Sequence, residues 1–407
     1  MAVRVHLAVV TSFLFLFGSH ALGTPALAAD AGAVFSAGPQ MNMARNDHWS
    51  VSLPDGRVVL LGGRGVGDIL NSAEIWNPAT NAFTQKTMQA ARWHAGCARL
   101  NDGRYFLAGG WNGSAILNST EIFNPGDNSF TGTGSMTQTR VDLTAATLTD
   151  GRVLIVGNYS APAGELFTPG GGFNVTQPLN TPRASPVVVP TSDGKALVLG
   201  GGLSNGGSIV EPVERYEPGD NNFTVVRNTL FAGESGWSVQ SPNAWGSMPL
   251  DRQQLQDGSY LFPATRQVGT TTTYQTRLFT VNPTTQAIVP LVITPALPDG
   301  QRLPESISPQ VIINKNHNRA YLLVVVAASE IRLYTIDLNT LRRNQPGGSY
   351  VLPAGYYVPG AGSAMLQDGR LFFTGGTDNV STSNPLTKTL FAHLAGNAAP
   401  SLLLLLE

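Results

Sequence analysis

Four arginines, Arg45, Arg92, Arg140 and Arg183, each lie ten residues before the aspartate of an Asp-Gly pair, and the residues just after them could do chemistry. Asp47 and His48 follow the first, Trp93 and His94 the second, and Asp142 the third. Histidine and aspartate can ligate a metal or move a proton. Tryptophan and asparagine suit contacts to sugars or peptides. A second group, Arg64, Trp111, Asn112, Asn158 and Tyr159, lies further along the same units, after glycines. A third, Trp237 and Trp245 with Glu234, falls in a long insertion. The competing view is that these are unrelated rim residues and polar strand ends. No phosphate-binding loop, Gly-x-Ser-x-Gly elbow or His-Glu-x-x-His pattern occurs. A metal shared by His48, His94 and Asp142 is conceivable, but no metal ligand set is assigned and no cofactor is expected.

The elements that must position these residues form a repeat. Asp-Gly followed by Arg, Lys or Ser recurs at Asp55, Asp102, Asp150, Asp193, Asp257 and Asp368, in steps of 47, 48, 43, 64 and 111 residues. The last step holds a degenerate member, with Asn318-Arg319 before the apolar run Tyr321 to Val326, which gives seven units. Asp-Gly favours a tight hairpin because both residues tolerate positive φ. Apolar runs such as Val58 to Leu61 follow it and often end in a glycine pair, as at Gly62-Gly63 and Gly109-Gly110. Then come Glu, an apolar residue, an aromatic and Pro, as in Glu74-Ile75-Trp76-Asn77-Pro78 and Glu121-Ile122-Phe123-Asn124-Pro125. Four short strands at a period near ~50 residues predict an all-β, seven-bladed β-propeller, in which each small sheet must stack on its neighbours. Val34-Phe35, Met41 and Arg45 mimic Phe83, Met88 and Arg92, whereas the last unit lacks a clear fourth strand. The N-terminal strand is therefore expected to complete the last blade and close the ring.

Residues present in most units are expected to hold blades together. The four arginines match Glu74, Glu121, Glu165 and Glu214 in number and opposite charge, and are expected to pair with them, since an unpaired buried charge is expensive. Cys97 is the chain's one cysteine and reads as a small core residue. Unrepeated residues should instead gather on the face where the inner strands begin. Two insertions, 225–250 and 291–309, lead toward inner strands and are expected to wall a groove on that face.

The glycine pairs, the spaced Glu and aromatic, and the Asp-Gly-Arg turns resemble kelch repeats, in an arrangement similar to the central domain of the galactose oxidase superfamily. That resemblance implies an active site on the same face. It also implies a copper site of two tyrosines, two histidines and a cysteine cross-linked to one tyrosine, the latter two positions after the repeated arginine. Here those positions hold Asp47, His94, Asp142 and Ser185, and no tyrosine directly precedes a histidine. The copper ligands of the superfamily are thus lacking, and a copper radical oxidase is not expected.

Charged residues are 13% of the 407 residues, and the formal net charge is −1 with no Lys/Arg block, which argues against a nucleic-acid partner. Residues 1–29 carry Arg4, an apolar stretch from Leu7 to Gly18 and a small-residue site at Ala26-Leu27-Ala28, the pattern of a signal peptide rather than a transmembrane span. Residues 30–407 are expected to form one propeller domain, secreted to the periplasm or the exterior as a monomer. The run Leu402 to Leu406 reads as a final strand or the stub of a longer chain. The function expected is a binding module for carbohydrate or protein on the loop-bearing face. A non-copper enzyme (lyase, isomerase or hydrolase) and a structural envelope or matrix protein are the alternatives.

Overall fold

A computed structural model describes residues 34–158, 160–203, 209–239, 250–268, 273–297, 300–301, 310–327, 330–343, 350–351, 357–377 and 384–393. Residues 1–29, the C-terminal leucine run, Tyr159 and Trp245 lie outside the described residues. Seven antiparallel sheets stand in a ring, the predicted seven-bladed propeller. In blade 1, Trp49–Ser52 is innermost, followed outward by Val58–Leu61, Ser72–Asn77 and Ala82–Thr87. Blades 2, 3 and 4 span 96–135, 143–178 and 187–227 with the same order. Blades 5 and 6, over 237–301 and 310–351, each add a short fifth strand. Blade 7 consists of Tyr357–Met365, Leu371–Thr377 and Thr389–His393, and Val34–Ala37 is its outermost strand. Val34 pairs with His393 and Ala37 with Leu390, so the chain's two ends close the ring as expected. Among the described residues no helix is long and apolar enough to cross a membrane.

The second strands of blades 1–4 are buried throughout because both faces of each sheet are covered by neighbouring blades. The core accordingly lies between blades. Trp49, Val51 and Ile75 of blade 1 pack on Cys97, Tyr105 and Leu107 of blade 2. Trp76 of blade 1 packs on Phe372 and Phe391 of blade 7, its ring centroid 4.8 Å from that of Phe372. Comparable clusters join blades 2 and 3, 3 and 4, 4 and 5, and 5 and 6. Cys97 is fully buried in one of them, as its sequence context suggested.

The repeated charges pair as expected. Arg45 meets Glu74 at 2.9 Å, Arg92 meets Glu121 at 2.7 Å, Arg140 meets Glu165 at 3.2 Å and Arg183 meets Glu214 at 2.6 Å, all buried. Each arginine lies on the connection entering its blade, and each glutamate on that blade's third strand. Nη1 of each also donates to a glycine carbonyl at the end of the second strand, at 2.8–3.2 Å: Gly62, Gly109, Gly157 and Gly200. Each glutamate in turn accepts backbone N–H groups of the connection, Asn42 on Glu74, Gln89 on Glu121, Thr137 on Glu165 and Asn180 on Glu214. Burial lowers the pKa of Arg45, Arg140 and Arg183, and the facing carboxylates oppose that shift. The pairs are thus multiply hydrogen-bonded clamps between a connection and its sheet, with the buried Arg45 Nε alone of the four guanidinium Nε atoms left without a partner among the described residues. Glu165→Ala should destabilise the chain by about 3–5 kcal/mol, because it strands a buried guanidinium. Denaturant unfolding checks this, and a loss under about 1 kcal/mol would mean the clamp is dispensable.

Candidate functional site

Each clamp sets the backbone two residues onward. Asp47, His94, Asp142 and Ser185 all have φ between 50 and 55°, and Gly360 takes the equivalent place in blade 7 at 67°. Left-handed geometry costs an ordinary L-residue roughly 1–2 kcal/mol, and Asp and His are among the types that adopt it more readily. These residues meet around the axis. The Asp47 N–H donates to the Gly360 carbonyl at 2.6 Å, Asp142 to His94 at 3.2 Å and Ser185 to Asp142 at 2.7 Å. A side chain at Gly360 would strike Asp47 Oδ1, its ideal Cβ lying 2.5 Å away, so close approach requires glycine here. The predicted positions Asp47, His94 and Asp142 are therefore brought together at one mouth of the ring.

One residue earlier, isolated bridges extend blades 1, 2 and 4 toward this mouth. Asn46 pairs with Arg64, and Trp93 with Trp111, which places the residues after the glycine pairs beside those after the arginines. The Trp93 Nε1–H donates to Asp47 Oδ2 at 3.3 Å, and its ring lies over the His94 imidazole with centroids 3.8 Å apart. His94 Nδ1 is 2.6 Å from Asp142 Oδ1. A carboxylate on one ring nitrogen orients the imidazole, the arrangement a general base would use. Yet His94 is only 3% exposed and its Nε2 is buried. The pair sits beneath Trp93 rather than open to a substrate.

Outside this cluster a groove of about 740 Å³ runs between the loops of blades 1 and 2, lined by Arg64, Asp68, Ile69, Trp111 and Asn112 among others. Arg64 is exposed and Trp111 half-buried. Asn112 has a local task, since its Oδ1 accepts from Ser114 N at 2.9 Å and Ala115 N at 2.7 Å and so shapes the loop. Asn158 does the same for Ser160 and donates from Nδ2 to the Thr139 carbonyl at 3.2 Å.

Two further candidates are placed away from the mouth. His48 is fully buried between blades 7 and 1, in a slot lined by Gly63, Gly362 and Gly375, and its Nε2 lies 2.9 Å from Thr374 Oγ1. It therefore packs, and does not join His94 and Asp142. Trp237, 3% exposed, belongs to the core between blades 4 and 5. Its indole N–H donates to Glu234 at 3.0 Å, and the guanidinium carbons of Arg277 and Arg266 stand 4.3 and 4.8 Å from its ring. The insertion 225–250 does not lead up to the inner strand of blade 5; it contains it, because Trp237–Ser238 pairs with Arg266 and Thr265. Part of 291–309 likewise serves as sheet, since Gly300–Gln301 pairs with Tyr274 and Thr273. Residues 240–249 and 302–309 lie outside the described residues.

No protein-family model matches the chain, and neither does the sequence of any curated protein. A solved structure similar to it is that of a fungal alcohol oxidase of the AA5 family, in complex with copper. The identity is 13%, the TM-score 0.58, and the match covers 89% of this chain and 76% of the other. The shared feature is the fold. The donor set does not fit that copper: Cys97 is sealed in the core, His48 is committed to Thr374, and His94 is committed to Asp142. Among the described residues no three His, Cys, Asp or Glu side chains group to hold a metal ion. No step through copper follows for this chain.

The His48 slot has a consequence in pH. Burial, and then the nearby positive charge of Arg45, holds its pKa well below the ordinary 6.5. Above pH 6.5 the ring is neutral folded and unfolded, so it adds no pH dependence. As pH falls below 6.5 the unfolded ring takes up a proton that the folded one refuses. Stability should then fall by about 1.4 kcal/mol per pH unit on this account. The lowered pKa of His393 acts in the same direction. Chemical unfolding from pH 7 to 5 should therefore give a shallower slope in His48→Asn than in the parent, and equal slopes would contradict the assignment.

Proposed function

We propose that this chain is a binding module, exported with loss of residues 1–29, that holds a carbohydrate in the groove between blades 1 and 2. The observation that carries this reading is the contrast between two neighbouring features. Arg64 and Trp111 line a groove open to solvent, while the imidazole–carboxylate pair able to do acid–base chemistry is covered by Trp93. A volume of about 740 Å³ falls in the range of small-ligand sites, which bury most of a ligand against apolar walls with a few fixed polar groups. Trp111 offers a planar apolar surface for a sugar ring, and Arg64 and Asp68 offer a donor and an acceptor for hydroxyl groups. The groove is lined by eleven residues, whereas a whole protein interface takes roughly 20–30 residues a side. The covered dyad also favours a binding module over the enzyme alternative, because a general base must come within hydrogen-bond reach of its proton.

Calorimetric titration of the purified chain with a panel of soluble oligosaccharides tests this. One glycan class should bind saturably, and Trp111→Ala should weaken it at least about tenfold, roughly 1.4 kcal/mol, with the melting temperature kept. A parent protein that binds no glycan, or a variant that binds as well as the parent, would overturn the reading.

A further inference from the structure

The opposite end of the ring carries a second cavity that the groove does not explain. The Asp-Gly hairpins surround an axial well of about 870 Å³, walled by the inner strands or turns of blades 1, 2, 5, 6 and 7. Its charged residues are unbalanced. Arg99, Arg252 and Lys315 line it, and His317 stands with them. Asp368 is the one carboxylate among the described residues of the wall, and Arg370 Nε already engages it at 2.7 Å. No ion pair engages Arg99 or Arg252 among the described residues. Arg252 donates from Nη2 to the Ser52 carbonyl, which fixes the guanidinium at the wall, and its buried Nε has no partner among the described residues.

Two deeper groups point the same way. Ser50 is 1% exposed and Asn314 3%, and both line the well. The Ser50 hydroxyl and the Asn314 Nδ2 find no protein partner among the described residues. Asn314 Oδ1 accepts from the His317 backbone N–H at 3.3 Å, which leaves its amide nitrogen as the unused end. An unsatisfied buried donor is costly, so donors held this way beside Arg99 and Arg252, which engage no ion pair among the described residues, make sense with an acceptor between them. Arginine and lysine bind carboxylates and phosphates by charge-assisted hydrogen bonds.

We infer that this well binds a small ligand bearing oxyanion groups, carboxylate or phosphate, independently of the groove on the other face. Ser50 and Asn314 supply neutral donors at its wall, and Arg99, Arg252 and Lys315 supply the charge.

The test is calorimetry on the full chain in low-salt buffer at pH 7, with citrate, inorganic phosphate and sulfate as probes and mannitol as the neutral control. At least one anion should saturate, and its affinity should fall as sodium chloride is added. The double variant Arg99→Gln, Lys315→Gln alters two exposed side chains and should leave the fold intact, yet weaken binding by about tenfold or more. Trp111→Ala should bind the anion unchanged, which separates this site from the carbohydrate groove. Citrate binding alone would assign a carboxylate ligand, and phosphate or sulfate binding alone a phosphate-like one. Absence of saturation by every anion, or equal affinity in the double variant, would overturn the inference.

Discussion

The buried arginine–glutamate clamp is the interaction on which the rest of this structure depends. A blade of four short strands has no covalent tie to its neighbour beyond one connection, and the chain has one cysteine and hence no internal disulfide. The clamp fastens that connection. Its guanidinium bridges the glutamate of the third strand and the glycine carbonyl ending the second, while the carboxylate holds the connection's own N–H groups. Removing two charges from water is costly, and the close pairing together with these hydrogen bonds offsets it. What the clamp supplies is position, because a fixed arginine fixes the residue two places onward.

That geometry divides the molecule into a conserved-by-repetition interior and two unlike openings. Blades 1–4 use the clamp four times, and the polar groups involved are consumed by the fold. At the mouth, the left-handed residues differ from blade to blade, Asp47, His94, Asp142 and Ser185, on one repeated backbone. Variation on a rigid scaffold is how propellers and other repeat folds acquire binding surfaces. Blade 5 lacks the arginine and instead packs Glu234, Arg266 and Arg277 around Trp237, a partly exposed substitute. The far opening collects cations from several blades, with Asp368 the one carboxylate among the described residues of its wall.

Much of this was legible in the sequence, for identifiable reasons. Periodic Asp-Gly turns counted the blades, and the match of Phe35 to Phe83 announced the strand that closes the ring, because a repeat exposes its own missing piece. Equal numbers of Arg, each ten residues before an Asp-Gly aspartate, and Glu, each four residues before a Pro, announce the clamps. Side-chain direction was harder. His48 looked chemical beside Asp47, but the left-handed turn at Asp47 sends the next residue inward, into a slot made by glycines from two blades. Trp237 falls in an apparent insertion, yet Trp237-Ser238-Val239 repeats Trp49-Ser50-Val51, and that tripeptide marks an inner strand. The basic well carried no sequence signal, since Arg99, Arg252 and Lys315 come together only through the ring.

Native-state hydrogen exchange tests the clamps most directly, at the amides that donate to their carboxylates, those of Asn42, Thr137 and Asn180. They lie outside the strands, yet they should exchange as slowly as the buried second-strand amides, through global unfolding alone. Exchange at the rate of the exposed loops, with the strands still protected, would contradict the claim that these clamps hold the ring and its mouth in place.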